Sequence, residues 1–239
     1  MSTHNNPLAP RNSPLLCYVT DRHALPIANP AGSLAALTQK IEEVVAAGID
    51  WVQIREKDLS ARELASLTRQ TLTMAGKYSA KRSPVVRVLV NDRLDVAIAE
   101  RAGGVHLGER SLPVAEAKRL LASAAHGKMV DESFLVGVSC HSLDAAQAAE
   151  RDGADYIFFG PIFRTPSKES FGAPQGIARL RQVCREVPIP VFAIGGITLE
   201  TVSACFAAGS SGIAAIRLFQ DGVDPQQTVG SLRGGLKPE

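Results

Sequence analysis

Short apolar runs, each ending in a donor, an acid or a glycine, recur along the whole 239-residue chain. In order they read WVQIREKD (51–58), VVRVLVNDR (85–93), GGVHLGER (103–110), FLVGVSCHS (134–142), DYIFFGPIFRTPSK (155–168), PVFAIGG (190–196) and GIAAIR (212–217). The runs are near-continuous rather than alternating, as expected of strands buried on both faces of a parallel sheet. With 15–20 added, eight strands are predicted, the others being 51–55, 85–90, 103–107, 134–138, 155–159, 189–194 and 212–216. Between them, apolar residues recur three and four apart, as at Leu34, Leu37, Ile41, Val44 and Val45, which predicts helices.

The joints sharpen this. AAGIDWVQI, RAGGVHL, RDGADYIFF and AAGSSGIAAI share one shape: a helix end, a glycine, short residues, then a strand. Glycine just past a helix end adopts the left-handed cap that other residues resist. A repeated β/α unit with eight strands predicts an α/β fold, a single (β/α)8 TIM barrel of parallel strands over 15–236. The alternative, an open doubly wound sheet, normally begins with a G-x-G-x-x-G turn, and none is present. Residues 1–14 are polar and rich in Pro and Asn, and read as a disordered leader without a signal-peptide core. Residues 122–133 and 164–175 read as mobile joints, the second long enough for a lid over the site.

Composition narrows the partners. Hydrophobic residues make up 45%, enough to fill a large core, and the net charge of +2 exerts no strong pull on nucleic acid or membranes. No apolar run approaches the ~20 residues of a membrane span, so a cytoplasmic protein is expected. Cys17, Cys140, Cys184 and Cys205 form no C-x-x-C pair and read as buried free thiols rather than a zinc site. The oligomeric state stays open, a homo-oligomer included.

In a (β/α)8 barrel the active site lies at the C-terminal strand ends. The run after strand two brings Gln53, Ile54, Arg55, Glu56 and Lys57, with Gln53, Arg55 and Lys57 alternating onto one face. Strand three brings Asn91 and Asp92, strand four His106 and then Glu109, Arg110 and Ser111. Strand five brings Ser139 and His141, strand six Thr165, Ser167 and Lys168, strand seven Gly195 and Gly196, and strand eight Ile216 and Arg217. Arginine and lysine donors outnumber acids here, which suits phosphate or pyrophosphate oxygens. One carboxylate, Asp92, suits Mg²⁺, which binds through one or two carboxylates plus substrate phosphates. Other readings stand beside these: Asp92 as cap of a helix starting near Arg93, His106 as a hydrogen-bonded core residue, and Asp21 and Arg22 as turn residues.

YVTD (18–21), VQIREKD, VNDR, GVHLGER, GVSCHS, DYIFFGPIFRTPSK and PVFAIGGI, in this order and spacing, resemble the family of thiamine phosphate synthase and the TenI thiazole tautomerase. The resemblance implies condensation of a hydroxymethylpyrimidine pyrophosphate with a thiazole phosphate, releasing pyrophosphate. It assigns Gln53, Arg55, Lys57 and Asn91 to the pyrophosphate, Asp92 to Mg²⁺, Ser139 to the pyrimidine and Lys168 to the leaving group. Thr165 and Ser167 fall on the thiazole side, and Gly196 with the Ile216–Arg217 turn on its phosphate. Arg55, Lys57, Lys168 and His141 are the implied catalytic set. Ser111 replaces the family's second metal carboxylate, Arg217 a serine and Ser167 a threonine. A tautomerase using His141, and a non-catalytic thiamine-phosphate-binding regulator, are the alternatives; a different phosphate-using barrel enzyme is a further one.

Overall fold

In the computed structural model, strands β1 (Leu15–Val19), β2 (Trp51–Ile54), β3 (Arg87–Asn91), β4 (Gly104–Leu107), β5 (Leu135–Cys140), β6 (Tyr156–Phe159), β7 (Val191–Ile194) and β8 (Gly212–Ala215) close a barrel in sequence order. All eight pairings are parallel, including β8 back onto β1 through Leu15↔Gly212 and Cys17↔Ala214. The structure describes residues 8, 13–25, 33–79, 85–125, 130–165, 173–221 and 224–234. Most of the leader predicted over 1–14 lies outside the described residues, as do 126–129 and 166–172 of the two predicted mobile joints.

Helices α1 (Leu34–Ala47), α2 (Ala61–Ser79), α3 (Leu94–Ala99), α4 (Val114–Ala125), α5 (Leu143–Arg151), α6 (Gly176–Glu186) and α7 (Val202–Ala207) fill the successive crossovers. The short α8 (Arg217–Gln220) and α9 (Pro225–Gly234) follow the last strand. This is a (β/α)8 TIM barrel. The Ser33 hydroxyl starts α1 by accepting from the Ala35 and Ala36 amides, and Gly48 ends it at φ 96°. Gly153 and Gly209 hold the same left-handed position at φ 88° and 97°. At the RAGGVHL joint the expected glycine does not: α3 stops early and Arg101 takes φ 55°. Gly103 has a packing role instead, since a Cβ there would lie 2.8 Å from Arg87 Cγ.

The strands bury side chains on both faces. Inside the barrel, Cys17, Trp51, Leu89, Tyr156, Phe158 and Phe192 form one cluster, while the outward faces pack under the helices in a second. Trp51 stacks on Phe192 with centroids 4.8 Å apart and meets Tyr156 edge-on at 4.9 Å. Gly137 makes this filling possible, because a Cβ there would fall 2.0 Å from the Tyr156 ring. Burying each ring stabilises the fold by about 1.5–3 kcal/mol. At the opposite rim Asp50 accepts from the Leu16 amide at 2.7 Å and pairs with Arg233 of α9, fastening the last helix to the first strand.

Among the described residues no helix is long and apolar enough to cross a membrane. The four cysteines are free; Cys17, Cys140 and Cys205 are buried and Cys184 is half-buried. Burial pushes the Cys140 thiol up to about 12, Cys184 and Cys205 to about 11, and Cys17 higher still. The thiolate is the nucleophile, so its fraction at pH 8 falls to about one in a thousand even at Cys184. Native protein at pH 8 is expected to resist iodoacetamide, with slow labelling at Cys184 that accelerates as pH rises, whereas urea-unfolded protein labels at all four sites. Mass spectrometry of timed samples checks this, and rapid native labelling of Cys17 or Cys140 would contradict the packing.

Candidate active site

The C-terminal rim begins with a trade of hydrogen bonds between β1 and β2. The ladder continues to Thr20, whose amide donates to the Gln53 carbonyl at 2.9 Å. The next amide, Arg55, donates instead to the Thr20 hydroxyl at 2.9 Å, and β2 ends. That hydroxyl donates in turn to Glu56 Oε1 at 2.7 Å. Glu56, 5% exposed, also accepts from the Arg22 amide at 3.2 Å and its guanidinium at 3.1 Å. Arg22 then forks onto Asp58, holding that carboxyl well below its ordinary range. Asp21 caps the following turn through the His23 amide. Asp21 and Arg22 are therefore structural, as their sequence position implied.

The predicted five-residue site after strand two consequently divides. Gln53 faces the barrel interior at 2% exposure, Arg55 is half-buried and Lys57 is exposed in a turn beyond the strand. Ile54 belongs to the core beneath the helices, and Glu56 is consumed by Thr20 and Arg22. Neither Ile54 nor Glu56 offers its side chain to the mouth.

Asp92 is the hub of the next stretch. It sits at φ 61°, a left-handed conformation uncommon outside glycine and costly enough to need fixing by its surroundings. Its Oδ1 accepts from the Gly108 amide at 3.0 Å and from the Ser111 hydroxyl, and its Oδ2 accepts from Asn91 Nδ2 at 2.7 Å. Helix α3 starts at an Arg93 cap with no side-chain bond, so Asp92 is not its cap. The carboxylate instead ties the β3 end to the β4 loop.

These bonds set the direction of two amides. A carboxylate accepts only, so Asn91 presents its NH₂ to Asp92 and its oxygen to Gln53 Nε2, at 2.8 Å. Gln53 Oε1 is left buried with no hydrogen-bond partner. That unpartnered oxygen is an acceptor, which suits an N–H or O–H.

On β4, His106 is a buried, hydrogen-bonded histidine between Tyr156 and Ser139. On β5, Ser139 reaches the mouth half-exposed. His141 binds the Gly160 carbonyl through Nδ1, which therefore carries the proton, and its Nε2 lies 4.0 Å from Glu109. On the far side, β6 and β7 are laced together beyond their ends by Ile162 N to Ile194 O and Phe163 N to Gly195 O. Gly195 and Gly196, at φ 96° and 67°, allow this approach: a Cβ on Gly196 would lie 2.5 Å from the Arg164 carbonyl. Ile216 is half-buried, and Arg217 is exposed at the start of α8. Thr165 is half-buried, whereas Ser167 and Lys168 lie outside the described residues.

Among the described residues, Arg55, Lys57, Arg110, Arg164 and Arg217 enter no ion pair, and no group of three or more His, Cys, Asp and Glu is arranged to hold a metal. Asp92 has accepted three bonds, leaving about one lone-pair position, on Oδ2. That donor set fits a hard cation sharing one carboxylate with phosphate oxygens. Sequence reasoning missed Thr20 and Tyr156, whose roles arise from partners 36 and 50 residues away.

The family model described as thiamine monophosphate synthase matches residues 24–219. A Geobacter sulfurreducens protein, named provisionally as a thiamine-phosphate synthase, is 40% identical over 93% of this chain and 94% of its own. The thiamine-phosphate synthase of Methanoculleus marisnigri is 40% identical over 79% of this chain and 82% of its own. Among solved structures, thiamine phosphate pyrophosphorylase from Pyrococcus furiosus superposes with a TM-score of 0.76 at 28% identity, covering 97% of this chain and 96% of that one.

Removing one member of a buried charged pair costs about 3–5 kcal/mol because its partner is left uncompensated. Glu56→Ala is expected to lose about 3 kcal/mol, with a smaller loss for Glu56→Gln, which keeps part of the hydrogen bonding. Urea unfolding followed by circular dichroism reads both, and wild-type stability in Glu56→Ala would refute the structural assignment.

Proposed function

The chain belongs to the thiamine monophosphate synthase family, and we propose that it joins 4-amino-2-methyl-5-hydroxymethylpyrimidine pyrophosphate to thiazole phosphate, giving thiamine phosphate and pyrophosphate. The observation that carries this reading is the rim itself: among the described residues its Arg55, Lys57 and Arg217 enter no ion pair, and the strand ends also carry one anchored carboxylate, a buried acceptor and a half-exposed hydroxyl. A polyanionic leaving group matches the first part and an aminopyrimidine the second.

In the reaction the thiazole nitrogen forms a bond to the pyrimidine methylene while the methylene–oxygen bond breaks and its electron pair leaves with pyrophosphate. No proton is transferred and no protein nucleophile is needed. Arg55, Lys57 and Lys168 stabilise the charge developing on pyrophosphate. Asn91 and Asp92 flank it, and Mg²⁺, held by Asp92 with pyrophosphate oxygens, would supply further charge neutralisation. Gln53 Oε1 is assigned to the pyrimidine amino group, because an amide oxygen accepts. Ser139 contacts the same ring. Thr165 and Ser167 position the thiazole, and Gly195, Gly196, Ile216 and Arg217 bind its phosphate. The substrates are small molecules and the expected compartment is the cytoplasm.

A second reading rests on one observation. His141 donates from Nδ1 to the Gly160 carbonyl and turns Nε2 toward Glu109, 4.0 Å away. An imidazole held this way beside a carboxylate is the kind of group a TenI-like isomerisation of a thiazole needs for proton transfer.

The synthase reading expects pyrophosphate release that requires Mg²⁺ and both substrates together, with Asp92→Ala lowering kcat/KM about 100-fold or more. A coupled pyrophosphate assay measures this, and no release by pure protein at excess Mg²⁺ would sink it. The isomerase reading expects metal-independent conversion of the thiazole isomer, abolished by His141→Ala; retained conversion in that variant would count against it.

A further inference from the structure

His106 is clamped between two hydroxyls. Tyr156 Oη lies 3.2 Å from Nδ1, Ser139 Oγ lies 3.0 Å from Nε2, and the imidazole rests against Phe158 with centroids 4.1 Å apart. Tyr156 is fully buried, and burial raises its phenol well above its ordinary value, so it keeps its proton. Among the described residues the only hydrogen bond of that hydroxyl is the one to His106 Nδ1. Were Nδ1 protonated, the phenol proton would be stranded in an apolar interior. Nδ1 therefore accepts, the ring proton is on Nε2, and Nε2–H donates to Ser139 Oγ.

We propose that Tyr156 and His106 are positioning residues that fix the polarity of Ser139, leaving its hydroxyl hydrogen to be donated to the bound ligand. The relay starts inside the barrel and ends at its mouth, and Gly137 makes the room that lets the Tyr156 ring reach the histidine. Its consequence is specificity. The ligand atom facing Ser139 is an acceptor without a hydrogen, and the atom facing Gln53 Oε1 is a donor. An aminopyrimidine offers both, an amino N–H beside an unprotonated ring nitrogen. A 4-oxo analogue inverts both, a carbonyl beside a ring N–H, and is rejected at each position. The identity of the ligand rests on the synthase reading above; the relay does not.

The test has two arms. Nitrogen-15 NMR of imidazole-labelled wild-type protein at pH 7.5 reads the tautomer directly and needs no variant to fold. His106 is expected to show a protonated Nε2 and an unprotonated Nδ1; a protonated Nδ1 overturns the proposal. Calorimetric titration then compares wild type with Tyr156→Phe. Affinity for the pyrimidine pyrophosphate is expected to fall about tenfold, while affinity for inorganic pyrophosphate stays the same and the preference over the 4-oxo analogue shrinks. Unchanged pyrimidine affinity and unchanged preference in Tyr156→Phe also overturn it. A wild-type protein with the Nε2–H tautomer that binds inorganic pyrophosphate but not the pyrimidine pyrophosphate supports the relay and overturns the synthase reading.

Discussion

A closed eight-stranded barrel encloses a space that has to be filled, and here Trp51, Tyr156, Phe158 and Phe192 fill it. Rings of that size fit only where neighbouring strands give way, which is the role of Gly137 under Tyr156 and of Gly212 against Phe192. The apolar plug leaves one place in the interior for polar side chains, the layer above it. Gln53, Asn91, His106 and Ser139 occupy that layer on four consecutive strands. Binding chemistry thus follows from packing: large side chains low in the barrel force hydrogen-bonding ones to the mouth.

The electrostatics of the mouth follow from which charges are already spent. Two acids and two cations come in quick succession after β2. Arg22, arriving from β1, takes both acids, Glu56 in the interior and Asp58 at the surface. Arg55 and Lys57 are left without ion-pair partners among the described residues. A chain of net charge +2 acquires a cationic site in this way, by neutralising its acids selectively rather than by carrying an excess of basic residues.

Much of this was legible in the sequence because it depends on periodicity. Uninterrupted apolar runs, helical spacing and the glycine beat led to eight parallel strands, and observed strand ends fall within two residues of the expected ones. Barrel geometry also gathers the strand ends, so the described rim residues lie at one end of the barrel, while Ser167 and Lys168 lie outside the described residues. Whatever depends on a partner's direction was not legible. Nothing in VQIREKD says that Glu56 turns away to Thr20 and Arg22, or that Ile54 faces the helices while Gln53 faces inward with its amide oxygen unpartnered. The glycine rule failed at Arg101 for a similar reason: a six-residue helix stopped early, and Gly103 was needed for its lack of a side chain beside Arg87.

The two rim histidines show how far partner polarity decides chemistry. His106 meets a phenol, which gives a proton, and so carries its own on Nε2. His141 meets a carbonyl, which can only accept, and so carries its own on Nδ1. The same residue type on neighbouring strand segments is set with opposite ring nitrogens donating by what lies behind it. In the proposed relay His106 passes a donor through Ser139 toward the ligand, while His141 turns Nε2 toward Glu109. Joining a pyrimidine to a thiazole nitrogen moves no proton and calls on the first arrangement, whereas isomerising a thiazole moves one and calls on the second. The proposed condensation therefore draws on the His106 side of the rim, and the alternative isomerisation on the His141 side.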